Sequence, residues 1–220
     1  MKKLLPLTLL TLAASTAGAQ SLNGVELGLT GGYAGGLSGE VFVHAPNVLG
    51  PIGIKAGVAY GRAADAIRDS STLSPGDPTF GEIKQSVGAT ESGSSTVVSV
   101  DGTYNLGELA PGVGTALYAG GRYGMFQSSE NYTGGNVTYS SNAFGVGAGV
   151  MVSYALTGGL SLVGDVGVDT FFKSNITTGG SNTNAGGTFA PGSADYAIYD
   201  NRFVRPGTVF KARIGVKTSF

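Results

Sequence analysis

The chain has 220 residues, with 39 glycines, one histidine, and neither cysteine nor tryptophan; only 12% of residues are charged. Eight prolines and no G-X-Y period exclude collagen, and the absence of cysteine excludes a disulfide scaffold, a thiolate metal site and a cysteine nucleophile. The balance of 13 basic and 14 acidic residues leaves no electrostatic footprint for nucleic acid.

Residues 1–19 (MKKLLPLTLLTLAASTAGA) read as a cleaved signal peptide. Lys2 and Lys3 form the basic start, Leu4 to Ala14 the apolar stretch, and Ala17-Gly18-Ala19 the small-residue cleavage pattern. The run is too short to cross ~30 Å of hydrocarbon comfortably. Cleavage before Gln20 would leave residues 20–220 as a single exported domain and move the formal charge from −1 to −3.

No later stretch is continuously apolar over the ~18 residues a spanning helix needs. Instead, eight segments alternate with period two, the signature of strands with two unlike faces: 22–33, 37–45, 52–62, 94–105, 114–125, 141–154, 160–172 and 208–220. Most approach the ~9–11 residues of a tilted membrane-crossing strand, against ~5–6 for a soluble one. One phase is aliphatic: Val25, Leu27 and Leu29 begin it, and Phe210, Ala212, Ile214 and Val216 end it. The other holds glycine and the strand charges, namely Glu26, Glu40, Asp101, Asp165 and Asp169 with Lys55, Arg122, Lys211, Arg213 and Lys217. Arg62, at a strand end, is the one charge on the aliphatic phase.

Alternation alone admits a soluble barrel with the aliphatic face inside, or a membrane barrel with that face on lipid. Three features select the second. Aromatics of the aliphatic phase sit at strand ends: Tyr33, Tyr60, Tyr123, Phe144, Phe172 and Phe210 would share one rim if strands alternate up and down. Tyr104, Tyr154 and Phe220 would share the other, giving the two aromatic girdles that bilayer interfaces favour. Connections also alternate, short at 46–51, 106–113 and 155–159, long and polar at 63–93, 126–140 and 173–207, with the short first connection near Ala34 to Gly36 as an exception on the long side. That is the periplasmic-turn and extracellular-loop pattern. Finally, the last segment, TVFKARIGVKTSF, ends on Phe220.

That ending resembles the terminal signal read by the barrel-insertion machinery. The mature chain as a whole resembles the small eight-stranded OmpA/OmpX-type barrels, without the peptidoglycan-binding domain of the larger members. Thr218 departs from the aromatic frequent at its position in that signal. The expected fold is therefore all-β, an eight-stranded antiparallel up-and-down transmembrane barrel. Its expected setting is the outer membrane of a diderm bacterium, reached by the secretory pathway, with outer-membrane lipids and the insertion machinery as partners.

An eight-stranded barrel has an interior just wide enough for side chains. The five acids and five bases should then pair across a lumen kept open for them by glycine, because unpaired burial costs several kcal/mol per ion. The expected partners are Asp165 and Asp169 with Lys211, Arg213 and Lys217, and Glu26 and Glu40 with the same bases if the last strand closes on the first. The run Gly145-Val146-Gly147-Ala148-Gly149 lacks the helix and βαβ setting of a dinucleotide loop. His44, the one candidate general base, falls at the periplasmic end, away from where a lipid-modifying site would lie. No catalytic, cofactor or metal site is expected, and the chain is read as non-enzymatic: a structural or surface-interaction barrel, for adhesion or envelope integrity. A small passive pore and, below it, a lipid-modifying enzyme are the alternatives. The segments 63–93, 126–140 and 173–207 could present an extracellular ligand site. In the last of these, Phe189, Tyr196, Tyr199 and Phe203 with Arg202 and Arg205 have the composition either of a recognition surface or of a loop packed on its own rim.

Overall fold

A computed structural model describes residues 24–63, 65–181, 186–204 and 207–220. The signal peptide expected at 1–19 and Arg205 lie outside them. Eight strands form the barrel wall: β1 (Glu26–Ala34), β2 (Leu37–Leu49), β3 (Ile52–Ala63), β4 (Thr90–Ala110), β5 (Val113–Tyr132), β6 (Gly135–Thr157), β7 (Leu160–Phe171) and β10 (Thr208–Ser219). Two short strands, β8 (Ile176–Gly180) and β9 (Thr188–Phe189), and two helices, α1 (Phe80–Val87) and α2 (Tyr196–Arg202), belong to one end. Every strand pairing is antiparallel. β5 joins β4 to β6, and β1 pairs with both β2 and β10, from Glu26↔Ser219 to Ala34↔Lys211, so the sheet closes on itself and leaves no open edge in the wall.

The aliphatic phase faces out. Leu29 is 58% exposed, Val100 57%, Val166 63% and Ile214 63%, while the charged phase of the same strands is buried within. This inverts a soluble barrel and leaves a continuous apolar band that only hydrocarbon would cover. Tyr33, Tyr60, Phe144, Phe172 and Phe210 stand exposed at one border, with Tyr123 beside Phe144 at 5.1 Å between ring centroids. Tyr104, Tyr154 and Phe220 stand exposed at the other. On β6 the girdles are ten residues apart, Phe144 to Tyr154. At ~3.3 Å per residue and ~40° tilt this spans about 25 Å along the barrel axis, the height of a membrane barrel's apolar band.

One end is closed by tight turns. In the β6–β7 turn Gly158 and Gly159 both have positive φ, 59° and 79°, the requirement of a two-residue type I′ hairpin. The opposite end, extracellular by the rule that long connections face outward, departs from the loops expected there. Segment 126–140 is a hairpin whose only break is the turn between Tyr132 and Gly135. Its strands rise past the girdle with their alternation intact: Phe126, Ser128 and Glu130 point inward, as do Tyr139, Ser141 and Ala143. Above the membrane no face needs to be aliphatic, so this strand has the Ser/Thr/Asn composition of a loop. Segment 63–93 holds α1, started by a capping box between Thr79 and Glu82 and ended by Gly88 at φ 68°. Segment 173–207 holds β8, which pairs with β6 at Val137–Ser140, then β9 and α2.

Candidate functional site

Inward side chains of the wall form one ion-paired assembly along the axis. Nearest the outer end, Arg122 donates from Nη1 to Asp101 at 2.6 Å and from Nε to Asp169 at 2.8 Å. Lys211 holds the same Asp169 at 3.0 and 3.1 Å. Arg213 donates to Glu40 at 2.7 Å and to the Ser38 hydroxyl at 2.9 Å, and Lys55 also reaches Glu40, at 3.0 Å. At mid-depth the Tyr118 hydroxyl donates to Asp165 at 2.5 Å, with Lys55 and Lys211 each 5.1 Å from its ring centroid. An apolar layer of Phe42, Ala116, Tyr118, Met151 and Val163 lies against this pair, Val163 wholly buried. Nearest the periplasm, Lys217 donates to Glu26 at 2.6 Å, and His44 bridges Glu26 at 2.7 Å and the Thr103 hydroxyl at 3.0 Å.

Several ion pairs join neighbouring strands, as Arg122–Asp101, Lys211–Asp169, Lys55–Glu40 and Lys217–Glu26 do, and others cross the lumen. Arg213 and Asp165 are directly opposite in the β10–β7 register, yet Arg213 turns to Glu40 on β2, while Asp165 takes Tyr118 on β5 and lies 3.9 Å from Lys55 on β3. In so narrow a barrel side chains converge on the axis, and a partner from a distant strand is as near as one next door. Glycine makes the room. A Cβ on Gly147 would lie 2.0 Å from Asp169 Oδ1, and one on Gly149 would lie 2.2 Å from the Tyr118 hydroxyl.

Glu26, His44 and Thr103 stand in the order acid, imidazole, hydroxyl, which could be mistaken for a catalytic relay. His44 is 2% and Thr103 4% exposed, so an ester in the membrane has no approach to the hydroxyl. Among the described residues no cluster of His, Cys, Asp or Glu has the make-up of a metal site.

The outer end is covered by a second assembly. Arg202 of α2, 1% exposed, donates to both oxygens of Glu130 on β5, at 2.5 and 2.9 Å, and to the Ser71 carbonyl at 3.0 Å. Tyr139 donates to Glu130 at 2.9 Å and Tyr132 does so too. Burial, with the Glu130 carboxylate beside it, pushes the Tyr132 phenol up to about 12 and that of Tyr139 higher. Burial opposes the charge on Arg202, but Glu130 outweighs it and holds the guanidinium above its usual value. Around this pair pack Ile67, Phe80, Phe126, Ile176, Tyr196 and Phe203. The segments 63–93 and 173–207 are tied to each other by Arg68 N–H to the Arg202 carbonyl at 3.0 Å and Val204 N–H to the Ala66 carbonyl at 3.1 Å. Glu91 accepts from the Ala66 and Ile67 amides, both at 2.6 Å. Of the residues that gave 173–207 the composition of a recognition surface, Tyr196, Arg202 and Phe203 are thus interior to a cap, and Phe189 stacks on Tyr199 at 4.0 Å.

Known proteins set this barrel in context. The crystal structure of a major outer membrane protein from Thermus thermophilus superposes with a TM-score of 0.81 at 30% sequence identity, covering 89% of this chain and 98% of that one. The chain belongs to the family of that protein. It is therefore an integral outer-membrane β-barrel protein. Acinetobacter baumannii CarO aligns with a TM-score of 0.45 at 12% identity, covering 90% of this chain and 98% of that one, and CarO2 with 0.40 at 12%, covering 89% and 98%. No protein-family model matches the chain, and no curated protein does.

All ten strand charges read from the alternation of this family member lie inside the wall. Interior residues not singled out in the sequence include Phe42, Tyr118, Met151 and Val163, and in the cap Glu130. Tyr118 and Phe42 carried a signal, an aromatic ring in mid-strand on the charged phase. Glu130 was in reach too, since it continues the inward series Arg122, Gly124, Phe126, Ser128 beyond the assumed strand end.

Proposed function

We propose that this protein is a closed, non-enzymatic structural barrel of the envelope, which carries a folded extracellular cap. One observation supports the reading above others: the lumen is filled along its axis by paired charges and by the Phe42–Tyr118–Met151–Val163 layer, with the Arg202–Glu130 cap above. A filled lumen argues against the passive pore, and the burial of Thr103 against a lipid-modifying His44. The description of the Thermus relative as a major outer membrane protein fits a structural component. The likeness to OmpA/OmpX-type barrels is taken as one of architecture. Export by the secretory pathway after cleavage of residues 1–19, insertion guided by Phe220, and surface contact through the cap belong to the same proposal. So does the diderm envelope.

A deletion strain tests it. The expected phenotype is leakage of a periplasmic marker and sensitivity to detergent, both restored by the native gene and equally by one carrying His44→Ala. Failure of His44→Ala to restore a barrel that is made in normal amount would overturn the non-enzymatic reading. A selective loss of small-solute uptake, with the envelope otherwise intact, would favour the pore.

A further inference from the structure

The barrel wall has uneven height. β4, β5 and β6 rise well past the outer girdle, while β1 and β2 turn back at once through Gly35 and Gly36. The cap spans the low side, where the Ile67↔Phe203 contact and the Val204–Ala66 hydrogen bond tie the segment after β3 to the segment before β10. Between the underside of that strap and the low rim lies a cavity of about 500 Å³, in the size range of small-molecule sites. Its lining includes Tyr33, Phe210 and Arg62, all exposed residues of the lipid-facing phase at the outer girdle. The mouth therefore opens sideways, at the level of the outer membrane interface.

Beside Arg62 at the mouth stand Ser94 and Gln127, in register with it on the outward phase, and behind them the inward Ser95 and Ser128 make the lining polar. Ala34, Gly61, Ser95, Phe126 and Val209 also line a chamber of about 30 Å³ below, room for a water or two. On that chamber stand Arg122, Lys211 and Arg213 with Glu40 and Asp169, while Asp101 holds Arg122 from the side. Arg122 Nη2 and Arg213 Nε are buried there without a hydrogen-bond partner, although each residue is more than nine-tenths buried. Buried guanidinium N–H groups normally find an acceptor. Arg62 is a separate observation: an exposed cation on the lipid-facing phase at the outer girdle stands at the mouth of this cavity, and a cation at the membrane interface is suited to lipid phosphate.

We propose that this lateral window binds the head of an anionic membrane phospholipid from the outer leaflet. The phosphate would meet Arg62, the Ser94 hydroxyl and the Gln127 amide at the mouth, and the hydroxyls of Ser95 and Ser128 within. The acyl chains would stay in the bilayer against Tyr33 and Phe210, and water in the lower chamber would link the head to the orphan N–H groups of Arg122 and Arg213.

Native mass spectrometry of the purified full chain in detergent tests this, with phosphatidylglycerol, phosphatidylcholine and tail-free glycerol 3-phosphate as probes. The native barrel should retain one phosphatidylglycerol, at least tenfold more than phosphatidylcholine, and no glycerol 3-phosphate. Arg62→Gln should lower that retention at least fivefold, and Ser95→Phe, which fills the window, should do the same. Arg68→Gln, which removes an exposed cation of the cap, should leave it unchanged. Folding of each variant is read from its unheated migration on SDS gels, and Arg62→Gln, at an exposed position, keeps the test open should Ser95→Phe fail to fold. Equal losses in Arg62→Gln and Arg68→Gln would mean surface adsorption and overturn the proposal. Equal retention of phosphatidylcholine would also overturn it, and binding of glycerol 3-phosphate alone would replace the lipid with a soluble phosphate.

Discussion

Arg122 is the cation on which the outer half of the lumen turns, and Arg122→Met isolates its contribution. The side chain is 3% exposed and donates to Asp101 and Asp169. Asp169 keeps Lys211 when Arg122 is removed, but Asp101 loses its one ion-pair partner among the described residues, and its Oδ2 is already unpartnered. One uncompensated buried carboxylate costs about 3–5 kcal/mol. With a urea slope of about 2 kcal/mol/M, the unfolding midpoint in detergent micelles should fall by about 1.5–2.5 M. Adding Asp101→Asn removes the orphan charge, so the double variant should recover at least ~2 kcal/mol. The reasoning fails if Arg122→Met unfolds within ~0.5 kcal/mol of the native protein, the worth of an exposed pair, or if the double variant is no more stable than the single.

Gly147→Val should abolish the heat-modifiable folded band on SDS gels, because its Cβ would collide with Asp169 and Arg122, whereas Gly164→Ala, with nothing within 4 Å, should fold as the native chain does. Arg202→Met leaves Glu130 buried with only tyrosine hydroxyls, so protease added from outside should cut 63–93 and 173–207 several-fold faster while the barrel's denaturation midpoint stays put. Tyr132 is neutral in the folded cap with its phenol raised to about 12 from 10.0, so its contribution is complete below pH 10 and is lost as pH rises through about 12. Tyrosinate absorbance should show a late step near pH 12 that Tyr132→Phe removes; an unchanged titration curve would refute the assignment.

The wall was legible because a bilayer imposes a strict two-sided code on a strand. Leu27 and Leu29 against Glu26, or Ala212 and Ile214 against Lys211 and Arg213, fix both strand and facing, and the girdle aromatics mark where the code starts and stops. The partners of the lumen charges were legible in part: Asp169 with Lys211, Glu26 with Lys217 and Glu40 with Arg213 fall within the expected set, but register names the neighbour across a ladder and not every side chain met at the axis. Asp165 faces Arg213 in register and bonds Tyr118 instead. The cap was least legible. Above the membrane, water solvates the outward face, so Gln127, Ser129 and Asn131 give no aliphatic phase, and a strand there has a loop's composition. The inward face continued without a break, and following it from Arg122 to Glu130 leads to the buried pair with Arg202. That pair joins residues 72 positions apart, a long-range contact that local periodicity does not encode.

Conductance tests the central claim most directly. The native protein, reconstituted in a planar bilayer, should show no discrete current steps, because Tyr118, Phe42, Met151 and Val163 close the axis between the outer and the periplasmic ion pairs. Reproducible ohmic steps from the native barrel, enlarged by Tyr118→Ala, would contradict it.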